Sequence, residues 1–230
     1  MKNIIVYIAI VIALISCSSN AITKTDPVSN DNYVVILDLS DRLIHNPDQV
    51  NIDTNAIRAV FERFEKSVQR NLVVKSRDKF SMRIIPQKLS SLPGYAFENN
   101  LSIDMGKYTA AEKLVKLNQF KADLSTQLKL LYQQALLGNK TSNFAGVDIW
   151  QYFNDQVNSD LDIKYNNKVI IITDGYFDFE DKKHGLNNKT QATTTAPLLS
   201  NMKGLNWKID VGEKKLGIIP VNLKIPATWL

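Results

Sequence analysis

The sequence predicts one α/β domain, residues 33–230, built on a mostly parallel β-sheet. Two unbroken apolar runs, 33–37 and 169–172, have the composition of strands that are buried on both faces. Stretches with helical apolar spacing lie between the predicted strands, and this alternation is typical of an α/β fold. About 200 residues after position 32 are enough for one domain with a sizeable core.

The first half of the domain follows this pattern element by element. The strand 33–37 stops at Asp38, and a helical apolar stripe comes after it. A second strand is predicted at 80–85, where Pro86 closes it, and a short strand at 101–105 is expected to pair with it at the sheet edge. The stripe consists of Ile57, Val60, Phe61, Phe64 and Val68.

The second half continues with two helices and two strands. Thr109 and Glu112 fit a capping box that opens a long helix, and Gly138 is the residue type that ends one. A shorter helix is expected at 147–157, followed by the strand 168–175 and a last strand at 216–221. The chain stops soon after that strand, so a final covering helix is expected either to be missing by truncation or to be replaced by a partner.

The N-terminus has the pattern of an export signal. A positively charged start is followed by an apolar run of about a dozen residues, which is too short to span a membrane. This pattern predicts a signal peptide over 1–16. The residues 14–17, Leu-Ile-Ser-Cys, resemble the lipobox of bacterial lipoprotein precursors, which implies acylation at Cys17. Residues 17–32 are polar and predict a lipidated tether. The expected location is the bacterial cell envelope, with the domain membrane-anchored and facing the periplasm or the exterior.

Charge composition argues against nucleic acid as a partner. The formal net charge is +5 and the pI is near 9.1, but the basic residues are spread along the chain without a Lys/Arg run. Together with the export signal, this spread favours a solvated basic surface.

Two predicted strands deliver a carboxylate to one edge of the sheet. Asp38 and Asp174 follow the apolar runs, and Ser40 lies two residues beyond Asp38. Ligands of open α/β sheets bind at the carboxyl ends of the strands. Convergent carboxylate and hydroxyl oxygens would suit Mg²⁺ or another hard cation. The alternative is that each aspartate only caps a following turn or helix.

Three segments in order resemble the von Willebrand factor A family. Residues 35–42, V-I-L-D-L-S-D-R, look like its D-x-S-x-S motif, 145–150 resemble its G-T-D-[IL] segment, and 170–175 resemble the strand carrying its later aspartate. The resemblance implies a Rossmann-like three-layer sandwich with an antiparallel edge strand. It also implies a metal-ion-dependent adhesion site, in which a protein ligand's carboxylate completes the coordination of the ion.

Carried over residue by residue, Asp38, Ser40 and Asp174 match the family's metal site. Arg42 replaces its second serine and Val147 stands at its threonine position, which predicts a weak or vestigial Mg²⁺ site. The missing oxygen is assigned to one of three residues, and three side chains are expected on the binding rim. The oxygen candidates are Asp148, Thr141 and Ser142, and the rim residues are Arg42, Thr141 and Tyr176.

Two other interpretations stay open. In the first, the chain is a Mg²⁺-dependent phosphohydrolase of the haloacid dehalogenase type, with Asp38 as nucleophile and Asp174 and Asp178 as metal ligands. Such enzymes place an aspartate two residues after the nucleophile, where this chain has Ser40. In the second, the domain packs against neighbouring proteins without any ion.

Overall fold

A computed structural model describes residues 29–85, 94–138, 147–175, 190–195, 198–199, 207–213 and 215–229. The predicted signal peptide and Cys17 lie outside the described residues. The same holds for Thr141, Ser142, Tyr176 and Asp178. Among the described residues, no helix combines the length and the apolar character needed to cross a membrane.

A five-stranded mixed sheet forms the centre of the molecule, with strand order β3-β2-β1-β4-β7. The parallel pairs are β1 with β2, β1 with β4, and β4 with β7, whereas β3 is antiparallel to β2. The α/β class and the antiparallel edge strand are thereby confirmed. The strands are β1 (Asp31–Leu37), β2 (Lys79–Ile84), β3 (Ser102–Asp104), β4 (Asn166–Ile172) and β7 (Thr228–Trp229).

A strand lies within 216–221 as predicted, but it is not the last strand of the central sheet. The apolar segment at 216–221 contains β6 (Gly217–Ile218), which pairs with β5 (Gln191–Ala192) in a separate two-stranded sheet. The neighbour of β4 is instead β7, through Lys168 opposite Thr228 and Val169 opposite Trp229. Apolar composition predicts a strand, but it does not determine which partner supplies the hydrogen bonds.

Helices cover both faces of the sheet. The first long helix matches the predicted stripe, and the second ends at Gly138 as predicted. The predicted helix near 150 is broken by a π-helical segment, Tyr152–Gln156. The helices are α1 (Arg42–His45), α2 (Gln49–Arg70), α3 (Gly94–Asn100), α4 (Lys113–Gly138), α5 (Ile149–Gln151), α6 (Val157–Asp160) and α7 (Trp207–Glu213).

Alternating residues of β1 face two separate hydrophobic clusters, because successive strand side chains point to opposite faces. Tyr33, Val35 and Leu37 belong to a cluster with buried residues of α2 and α4. Val34 and Ile36 belong to a cluster with Val169 and with buried residues of the 149–160 helical segment. All seven residues of β1 are buried, as expected for a strand between two helical layers.

We call the end of the sheet at which β1, β2 and β4 begin the base of the domain. The start of β1 lies in a buried polar cluster at this base. Strand β1 begins at Asp31, two residues before the predicted domain boundary, where Asp31 pairs with Asn166 of β4. The Asp31 backbone N–H donates to Asp78 Oδ1 at 2.6 Å. The Asp31 carboxylate accepts from Ser67 Oγ at 2.7 Å and pairs with Lys168 and Arg70. Burial alone would raise the pKa of Asp31, but the Lys168 and Ser67 hydrogen bonds bring it below its usual value.

Candidate functional site

The candidate site lies where the strand order of the sheet reverses. From β1 the chain continues to β2 on one side, and later returns to β4 on the other side. In doubly wound sheets this switch point opens a crevice at the carboxyl ends of the two strands. Asp38 directly follows β1, and Thr173 and Asp174 directly follow β4. The Asp38 backbone N–H donates to the Ile172 carbonyl at 3.0 Å, which holds the two strand ends together.

The Asp38 carboxylate is fully buried and held by neutral donors. Its Oδ1 accepts from the Ser40 backbone N–H and its Oδ2 accepts from Thr173 Oγ1, both at 2.8 Å. The Thr173 hydroxyl is itself oriented, because its oxygen accepts from the Gly175 N–H at 3.1 Å. Burial raises the pKa of Asp38 above its ordinary value, although these hydrogen bonds and the nearby Arg42 act in the opposite direction.

Arg42 is a buried residue and not the rim residue that the sequence predicts. Only 6% of it is exposed, because its guanidinium pairs with the buried Asp53 carboxylate at 3.0 and 2.7 Å. Its Nε and Nη2 also donate to the Asp38 backbone carbonyl, at 3.1 and 2.7 Å. The guanidinium approaches the Asp38 carboxylate only to 3.9 Å. Arg42 therefore braces the end of β1 from within the domain.

Asp53 is a central residue of this region that the sequence analysis did not identify. Its carboxylate also accepts from Gln49 Nε2 at 2.8 Å and from the Tyr132 hydroxyl at 3.0 Å. Burial, together with the Asp53 charge, raises the pKa of Tyr132, so that hydroxyl stays a donor. One sequence signal was present: Asp53 lies four residues before Ile57 and so belongs to the buried face of the amphipathic helix.

The ion pair that Asp38 makes with Arg42 is long, at 3.9 Å, and the shorter contacts of the Asp38 carboxylate are with neutral donors. Arg42 makes its bidentate pair with Asp53, whereas Asp38 is held by an amide, a hydroxyl and a cation 3.9 Å away. A buried carboxylate with only neutral close donors is costly to keep ionised. The arrangement would be stabilised either by protonation of Asp38 or by a cation at the end of the sheet.

The remaining predicted metal residues have different surroundings. Ser40 is 8% exposed and contacts Asp38, while Asp174 is exposed at the end of β4. Asp148 Oδ1 accepts from the Gln151 backbone N–H at 2.8 Å, so it caps the short helix that follows it.

The threonine hydroxyl near Asp38 comes from Thr173 and not from the position aligned with the family's threonine. Val147 is 1% exposed and packs in the cluster of Val34 and Ile36. Thr173 lies directly before Asp174 at the end of the predicted strand, so its place at the switch point could have been read from the sequence. In the described part of the chain, no group of three or more His, Cys, Asp or Glu side chains could hold a metal ion. Any ion here would therefore depend on hydroxyl, backbone or external oxygens as well as carboxylates.

No protein-family model matches the chain, and comparison with curated proteins and with solved structures likewise gives no match.

Proposed function

We propose that this chain is a membrane-tethered binding module of the von Willebrand factor A type. Its strand-end site would take a divalent cation weakly, and the cation would contact a carboxylate of a partner protein. The observation that carries the proposal is the buried Asp38 carboxylate, whose close donors are neutral, at the switch point of a sheet ordered 3-2-1-4.

The position of Arg42 supports a cation site instead of opposing it. A guanidinium paired with Asp38 would already satisfy the negative charge, and a dication would have to displace it. The bidentate partner is Asp53, and Arg42 approaches the Asp38 carboxylate only to 3.9 Å, so it offsets the Asp38 charge only in part. The exposed Asp174, one residue beyond Thr173, places a second carboxyl group at this end of the sheet.

The relation between the buried and the exposed groups supports weak binding. Asp38 is fully buried, and its two oxygens already accept hydrogen bonds from Ser40 and Thr173. An ion at the surface would need the side-chain hydroxyls of Ser40 and Thr173 as ligands. Asp38 would hold these two residues from inside the domain. Such coordination requires rearrangement, and rearrangement lowers affinity.

A titration with Mg²⁺ and Mn²⁺ by calorimetry tests this function. We expect millimolar binding that is lost in Asp38→Asn and weakened in Thr173→Val and Asp174→Asn. Asp41→Asn is the matched control, because Asp41 lies three residues from Asp38 and its exposed side chain contacts only His45 among the ion pairs described. Absence of any heat or melting-temperature shift with either ion would remove the cation from the proposal.

The same variants separate this function from the phosphohydrolase alternative. A nucleophilic aspartate must present an oxygen to its substrate. Asp38 is 0% exposed, so the alternative requires the site to open first. Steady hydrolysis of an aryl phosphate with Mg²⁺, abolished in Asp38→Asn and retained in Asp41→Asn, would establish the enzyme instead. Partner capture without any ion effect would favour the purely structural domain.

A further inference from the structure

We propose that the base of the domain docks on an anionic membrane surface, which points the strand-end site away from the lipid. This inference rests on the proposed lipid anchor at Cys17, but it concerns a second and separate contact. It follows from two features of the base, its exposed apolar side chains and its exposed basic side chains, and the N-terminal chain enters the domain at the same end.

Exposed aliphatic side chains lie on three segments of the base. Leu72 and Val74 belong to the loop before β2, and they are 58% and 53% exposed. Leu114 and Val115, on the first turn of α4, are 55% and 65% exposed, and Ile163, before β4, is 76% exposed. Five of the eleven exposed large aliphatic side chains in the described part of the chain therefore lie at this end. Neighbouring exposed apolar groups can form a contact surface.

The loop and the helix that carry four of these residues are tied to each other. The buried Lys113 Nζ donates to the Val74 carbonyl at 3.2 Å and to the Ser76 carbonyl at 2.6 Å. Strand β3 runs antiparallel to β2, with Asp104 opposite Lys79, so the chain enters α4 at the base. The start of α4 and the loop after α2 therefore form one surface.

Basic side chains surround the aliphatic ones. Six are exposed at this end, whereas the base carboxylates Asp31 and Asp78 are buried. Of the partly exposed acids, Asp162 pairs with Lys79 at 3.3 Å and Asp104 Oδ1 accepts from the Gly106 N–H at 2.8 Å. Glu112 is exposed and bonds Thr109. The exposed basic residues are Arg70, Lys75, Arg77, Lys107, Lys116 and Lys164.

This combination matches the chemistry of an anionic bilayer interface. Aliphatic side chains can enter the headgroup region, and each nearby lysine or arginine adds about 1 kcal/mol of attraction to anionic lipid. A neutral protein surface would use the aliphatic groups but leave the basic ones without partners.

The chain that leads from the anchor enters the domain at the base. The fourteen residues 17–30 connect Cys17 to Asp31, the first residue of β1 at the base. Even fully extended they reach no more than about 50 Å. The opposite end of β1, where Asp38 lies, is about 20 Å further along the strand axis. The tether is therefore long enough for either end of the domain to face the bilayer, and it is the exposed aliphatic and basic side chains of the base that select the orientation.

The test uses the full acylated chain in vesicles of phosphatidylcholine, with or without roughly a third of phosphatidylglycerol. Val115→Cys, on α4, lies at the base, and Ile52→Cys, near the start of α2, lies at the opposite end of the domain. Each variant would carry an environment-sensitive fluorophore, and doxyl-labelled lipid would be the quencher. Both native side chains are exposed, at 65% and 52%. We expect quenching at position 115 that requires phosphatidylglycerol and is reversed by 0.5 M salt, with little quenching at position 52.

Charge reversal on one helix supplies the second variant. Lys116→Glu at the start of α4 should weaken docking about fivefold or more, while Lys129→Glu, some 20 Å along the same helix, should leave it unchanged. Both lysines are exposed, so the fold should be retained in each variant.

Three outcomes would overturn the inference: equal quenching at positions 115 and 52, quenching independent of phosphatidylglycerol, or a position-115 probe already shielded in detergent. The last outcome would indicate a second copy of the chain on this surface. An intact-mass measurement of the wild-type protein tests the anchor separately, because a chain that is not acylated at Cys17 would lack the mass of the acyl groups. That result would contradict the proposed anchor and not the proposed membrane contact of the base.

Discussion

The buried pair of Arg42 and Asp53 should contribute strongly to stability, and Asp53→Asn tests this. Asp53 is 1% exposed and receives bonds from Arg42, Gln49 and Tyr132. The variant keeps the shape of the side chain but removes the charge, so the Arg42 guanidinium stays buried without its ionic partner.

The expected loss is about 3 kcal/mol of unfolding free energy. Breaking a buried ion pair by removing one partner typically costs about 3–5 kcal/mol. The lower end applies because Arg42 would retain its hydrogen bonds to the Asp38 carbonyl. For a domain of this size, about 3 kcal/mol corresponds to a melting temperature lower by roughly 6–12 °C.

Urea denaturation followed by circular dichroism measures the difference directly. Asp41→Asn is the matched control, since the His45–Asp41 pair is exposed and should contribute less than about 0.5 kcal/mol. Tyr132→Phe, which removes only one donor to Asp53, should cost about 1 kcal/mol. A loss below about 1 kcal/mol in Asp53→Asn, or an equal loss in Asp41→Asn, would refute the reasoning.

Three further predictions concern Asp38, Gly175 and Phe64. The pKa of Asp38 is raised by burial, so its ionised form disfavours folding above the ordinary value near 4, and this cost disappears as pH falls through the folded pKa. Asp38→Asn should therefore be more stable than wild type at pH 7 without divalent ions, with the gap closing in acid; a less stable variant at pH 7 would contradict this. Gly175 has φ +85° with nothing within 4 Å of an added Cβ, so Gly175→Ala should lose about 1–2 kcal/mol through backbone strain alone. Gly217→Ala, equally unobstructed and without a positive φ, is its control and should match wild type in the same denaturation assay. Phe64→Ala should lose about 3–5 kcal/mol, because the fully buried ring packs against Tyr33, Phe61 and Phe80; a midpoint near wild type in urea would show that the core refills the space.

Features that depend on a local pattern of residues could be predicted from the amino-acid sequence. The apolar runs predicted β1 and β4, the stripe from Ile57 to Val68 predicted α2, and Gly138 marked the end of α4. These succeed because strand and helix periodicity are visible within a window of neighbouring residues. The placement of Asp38 at a strand end followed from the same local reading.

Contacts between residues that are distant in sequence became visible only in the folded chain. Asp53 and Tyr132 are 79 residues apart and Asp38 and Thr173 are 135 apart, yet each pair shares a hydrogen bond. Arg42 lies four residues after Asp38, and nothing in the sequence indicated that its bidentate partner would be Asp53. Likewise, the pairing of β4 with β7 instead of β6 depends on how the chain returns to the sheet. Side-chain pairing and strand pairing are set by distances in the folded chain, and the order of residues does not contain those distances in any local pattern.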